Sequence, residues 1–177
     1  MQLDSGPPML RNWDNFYIMA GTSGATLIGL LFVVVTLGAG WSTSRGKAGV
    51  DAFLTPTLVH FSGVLFLAMA LLVPWPSVWS ISSILLLCAL TGLAYQTYAI
   101  LEKHRQDLVS LRWLDWIPHA GVPALGNASM IAGAIGLIVD KPFAPYAIAG
   151  AVTLNLAAGI YGAWDITLWI VRNREAK

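Results

Sequence analysis

The chain has 177 residues, a net charge of +1, 56% hydrophobic residues and only 11% charged ones. Ordinary soluble domains carry about 25% charged residues, so 19 ionised side chains leave too thin a polar shell for a water-soluble globule. A charge near zero also excludes a nucleic-acid binder, because no basic surface large enough to track phosphates is available.

Residues 1–15 are mostly polar and include Asp4, Arg11 and Asp14. They lack the basic start and short apolar core of a cleavable signal, so the apolar stretch that follows is expected to be a retained span. A membrane-crossing helix needs about 20 apolar residues. The stretch between Asp14 and Arg45 holds no Asp, Glu, Lys or Arg and predicts a first span over about 16–40. Residues 52–101 are again free of charge, too long for one helix. Val73-Pro74-Trp75-Pro76-Ser77 divides them, because two prolines break helices and suit a reversal. Spans two and three are therefore expected at about 53–73 and 77–101.

The segment from Glu102 to Trp116 mixes charges with Leu108, Val109, Leu111, Trp113 and Leu114. It suits a helix that leaves span three and lies along the headgroups, as a connector or as a docking surface for a partner. Span four is expected at about 117–139, with Pro118 in its first turn and a kink at Pro123. Span five is expected at 143–171, ending between Trp164 and Val171. The fold class is thus all-α, a single transmembrane domain of five helices.

Charge and aromatic placement support five crossings. With the amino terminus outside, outer segments hold Arg11 and Lys141, and inner segments hold Arg45, Lys47, Lys103, Arg105, Arg112, Arg172, Arg174 and Lys177. Basic residues favour the cytoplasmic side, which places the carboxyl terminus there. Trp13, Trp41, Trp75, Trp79, Trp113, Trp116 and Trp169 all fall near span boundaries, where amphipathic rings sit.

Membrane helices associate by close packing, which small residues permit. Gly21, Ala25 and Gly29 recur every four positions in span one, and Ala128, Ala132 and Gly136 in span four. Asn155, Gly159 and Ala163 do so in span five, beside Ala158 and Gly162. These stripes predict tight helix pairs within the bundle, or a face shared between copies. Five spans give no inverted repeat, and no dinucleotide, phosphate-loop, zinc-protease or hydrolase motif is present. No catalytic residue, metal site or cofactor is expected. The single cysteine, Cys88, lies in an apolar run without thiolate companions.

Ionisable groups within the membrane are costly and mark functional candidates. His60 and Asp165 are expected at a shared depth in the cytoplasmic half, with Gln96 near that level. Asn155, Ala158, Gly162 and Asp165 share one helical face, as do Ala89, Gly92, Gln96 and Ala99. The expected polar layer is therefore His60, Gln96 and Asp165, serving as a hydrogen-bonded lock, a proton relay or a cavity lining. Asn127 and Asn155 form a second layer near mid-depth. Alternatively, Asp165 sits at the interface beyond a span that ends at Trp164, and His60 is a neutral packing residue.

The first span reads Trp13-Asp-Asn-Phe16-Tyr17, then Gly21-x-x-Gly24-Ala25-x-Leu27-x-Gly29-Leu30-Leu31-Phe32-Val33-Val34. Over residues 13–38 it resembles the opening helix of a group of uncharacterised small bacterial integral membrane proteins. The resemblance implies a bacterial inner-membrane setting, multi-pass, and brings no activity with it. Three functions compete. One is a small oligomeric channel or transporter-like bundle in the lipid bilayer. Another is an accessory or scaffold subunit bound to other membrane subunits. The third is an intramembrane enzyme with His60 as base oriented by Asp165.

Overall fold

The computed structural model describes residues 8–38, 44–105 and 120–175. Among them there are five α-helices and no strand: α1 (Asp14–Gly38), α2 (Ser44–Leu72), α3 (Val78–Arg105), α4 (Val122–Ile138) and α5 (Ala144–Glu175). A 3-10 turn, Pro8–Leu10, precedes α1. Stretches of α1, α2, α3 and α5 are long and apolar enough to cross a membrane, and α4 is a shorter apolar helix of 17 residues.

The helix ends follow from local chemistry. Pro74 and Pro76 stop α2, and Trp75 turns back so that its indole N–H donates to the Ala70 carbonyl at 2.7 Å. Ser77 caps α3, its hydroxyl accepting from the Trp79 amide at 3.2 Å. At the other end of α4, Lys141 N–H donates to Gly136 O at 2.8 Å and Asp140 N–H to Leu137 O at 3.3 Å. This paired closure needs a left-handed residue at Asp140, whose φ is 54°. The kink expected at Pro123 takes another form. Pro123 lies in the first turn of α4, directly after a π-helical turn at Ala120 and Gly121. The wider turn accommodates a residue that has no amide hydrogen to donate. Pro118 lies outside the described residues, as does most of the proposed headgroup segment, although α3 does run on to Arg105 past the expected end of its span.

The helices pack in the spatial order α1, α2, α5, α4, α3; α1 also reaches α5, and α2 touches α3 only slightly. Contacts such as Gly21 with Ala68, Gly133 with Ile148 and Gly92 with Asn127 show neighbours running antiparallel. The Val73–Ser77 and Val139–Phe143 loops and the start of α1 therefore lie at one end, called here the loop end. Trp13 meets the ring of Tyr146 edge-on at 5.1 Å there, and Phe16 meets Trp13 at 5.9 Å and Tyr17 at 5.3 Å. Tyr17 is fully buried. The Trp-x-x-Phe-Tyr pattern is thus an aromatic clasp that fastens α1 to α5.

The outer surface is apolar, with Ile18, Phe32, Phe66, Leu87, Leu90, Leu125 and Ile160 all at least half exposed. Outward hydroxyls are satisfied inside their own helices. Ser23 donates to Met19 O, Thr26 to Thr22 O, Thr91 to Leu87 O and Thr97 to Leu93 O, each four residues back. Such internal satisfaction is what a surface facing hydrocarbon requires.

Candidate functional site: a polar level inside the bundle

The buried apolar cluster occupies the loop half of the bundle. Its fully buried members extend no further than Val64 on α2, Ala89 on α3, Met130 on α4 and Val152 on α5. Directly past these four lie His60, Gly92, Asn127 and Asn155. At 1.5 Å of rise per residue they sit about 18–22 Å from the loop end, at one level. Beyond it, Leu31, Thr57, Ala158 and Ile166 are buried on α1, α2 and α5, and Pro123 and Gly126 at the start of α4. Among the described residues α3 has no buried position past Ala89. Among the described residues, the apolar cluster that α2, α3, α4 and α5 share therefore ends at the polar level.

His60 Nδ1 lies 3.2 Å from Asn155 Oδ1. The Asn155 amide donates its own Nδ2–H to the Ala151 carbonyl at 3.0 Å, which directs Oδ1 at the imidazole. Oδ1 only accepts, so Nδ1 carries the hydrogen of this contact. Asn155 reaches this position because α4 offers Gly126 opposite it: a Cβ there would stand 3.0 Å from Asn155 Nδ2. Asn127 stands over Gly92 of α3 in the same way, where a Cβ would come within 2.6 Å of Oδ1. Asn127 is only 9% exposed.

Gln96 lies further from the loop end and donates its amide to the Ala120 carbonyl across the α3–α4 seam, while its buried Oε1 has no partner among the described residues. Asp165 is further still. The α5 helix continues unbroken to Glu175, so Asp165 is inside it, half-buried and about 31 Å of rise from Ala144. Asp165 does make an interaction of its own. The structure thus joins His60 to Asn155, from the other expected layer, and sets Gln96 and Asp165 at separate levels. Ten residues of α5, about 15 Å, separate Asp165 from His60's partner. The expected His60–Asp165 pairing is not formed, and a base oriented by that carboxylate fails on geometry.

The small residues divide similarly. Gly21 and Gly24 close the α1–α2 seam, with a Cβ at Gly21 only 2.9 Å from Ala68 Cβ and one at Gly24 3.2 Å from Phe61 O. Ala25 is exposed, and a Cβ at Gly29 would meet nothing within 4 Å. On α4 the seam with α5 runs through Gly126, Gly133 and Gly136, with Ser129 donating to Ala147 O at 2.8 Å. Ala128 and Ala132 are exposed. On α5, Gly159 receives the Phe61 ring and Gly162 receives Thr57. Ala158 is buried and Ala163 half-buried.

Among the described residues no three of His, Cys, Asp and Glu gather in an arrangement that would hold a metal. No protein-family model matches the chain, nor does any curated protein or any solved structure.

Proposed function

We propose that this chain is a transporter-like protein of the bacterial inner membrane, crossing five times, working in several copies and offering a polar mid-membrane site to the cytoplasm. The observation that carries this reading is the end of the shared apolar filling at His60, Asn127 and Asn155. An apolar half on the loop side that ends at a polar level is the plan of a half-channel closed at mid-depth. The fifth crossing is supported by topology. Both α3 and α5 start at the loop end, and α4 is the helix that returns the chain there, packed between them. The eight-to-two distribution of basic residues supports a cytoplasmic side for the opening. Several copies are supported by the edge positions of α1 and α3, whose spans are each only 22% buried.

Single cysteines in a Cys88→Ser background test the reading. Asn127→Cys is expected to react with a small charged thiol reagent in inside-out vesicles and to resist it in right-side-out ones. Leu85→Cys, in the sealed half, is expected to resist it in both. An Asn127→Cys that reacts from neither side removes the half-channel.

A further inference from the structure

The packed seam between α3 and α4 is polar at two adjoining turns. Asn127 of α4 lies across Gly92 of α3, where a Cβ would meet its Oδ1 at 2.6 Å and its Nδ2 at 3.2 Å. Gln96 stands four residues past Gly92 on the same face of α3, and its Nε2 donates to the Ala120 carbonyl of α4. The two carboxamides therefore share one seam, at levels about 6 Å of rise apart. Helical side chains lean toward the amino-terminal end of their own helix. Because α3 and α4 run antiparallel, Gln96 leans toward the level of Gly92 and Asn127 toward the level of Ala120. Each carboxamide is thus directed at the other's turn, and neither is satisfied. Gln96 Oε1 is a buried acceptor with no partner among the described residues. Turning that amide over would set Oε1 against the Ala120 carbonyl oxygen, so the acceptor is the open end. Asn127 is nine-tenths buried, and its side chain makes no hydrogen bond among the described residues.

From this placement we infer that a bound water bridges α3 and α4 between Gln96 and Asn127. The water donates to Gln96 Oε1, and its oxygen accepts from Asn127 Nδ2–H. Two hydrogen bonds of about 2.9 Å each reach across a gap of one turn. Buried polar groups left over by the protein's own bonds are where ordered water is retained. A cation could meet Oε1 but not an N–H donor, and an anion could meet the N–H but not Oε1, so a neutral molecule that both donates and accepts is the one that fits. The inference goes beyond the half-channel and does not need it, because a water enclosed in the seam makes the same two bonds as one that enters from the cytoplasm.

The test is water-edited solid-state NMR of the isotope-labelled full chain in liposomes. Magnetisation is expected to pass from water to the Asn127 side-chain amide, a signal assigned by its loss in Asn127→Leu, and not to the backbone amide of Leu85 within the apolar cluster. Gln96→Met keeps the length of the side chain and removes the acceptor, and it is expected to abolish the transfer to Asn127. No transfer to Asn127 in the unaltered chain, or transfer that survives Gln96→Met, overturns the inference, and the first of these outcomes needs no variant to fold. Labelling of Asn127→Cys decides the half-channel separately, since a reagent too large for the seam leaves an enclosed water in place.

Discussion

His60 and Asn155 face each other across α2 and α5, half-buried, so removing one leaves the other without its partner. Asn155→Leu takes away the acceptor for Nδ1–H and is expected to cost about 1–3 kcal/mol, read as a lower unfolding midpoint in detergent. A double-mutant cycle with His60→Leu is expected to return a coupling of about 0.5–1.5 kcal/mol, in the range of interhelical hydrogen bonds in membranes. A coupling of zero would mean that the pair does not form. The glycines offer a second comparison at this scale. A Cβ on Gly159 would lie 2.5 Å from Phe61 Cε1, so Gly159→Ala forces the ring aside and is expected to destabilise by about 1–3 kcal/mol. Gly29 meets nothing, and Gly29→Ala is expected to be neutral or to stabilise by about 0.5–1 kcal/mol through helix propensity. Both are read in the same unfolding titration. Equal effects would contradict the seam described for α2 and α5.

The helices themselves were legible because length, charge spacing and proline are local signals. The reversal at Val73–Ser77 and the stop at Asp140 each lie within a few residues of the chain they control. Which face of a helix turns inward is not local. Ala128, Ala132 and Gly136 satisfy a four-residue spacing as well as Gly126, Gly133 and Gly136 do, and only the position of α5 chooses between them. The expected polar layer is divided for a related reason. Depth estimated from the charged ends grouped His60 with Asp165, but α5 continues past Asp165, so the carboxylate lies far from the midpoint. Counting from the loops brings His60, Asn127 and Asn155 to one level, and the loops are the better-defined boundary. Asp140 gives this scale its own prediction. It holds a left-handed backbone that favours glycine, so Asp140→Gly is expected to raise stability by about 1 kcal/mol, and a drop in the unfolding midpoint would count against the closure of α4 described above.

At the scale of the molecule, the sequential neighbours α2 and α3 are not packing partners along most of their length; α5 comes between α2 and α4, and α4 between α5 and α3. Sequence alone gives no sign of this insertion, because the contacts that create it join residues far apart in the chain. The length of α4 carries a further consequence. Its 17 residues and the π-helical turn before them rise about 28 Å, just under the roughly 30 Å of hydrocarbon in an average bilayer. On the five-crossing reading, α4 is, among the described residues, the crossing with least length to spare, so a thicker bilayer strains it first. Resistance to unfolding is therefore expected to fall as the acyl chains of a phosphatidylcholine bilayer lengthen, and a flat profile would place α4 out of contact with the lipid.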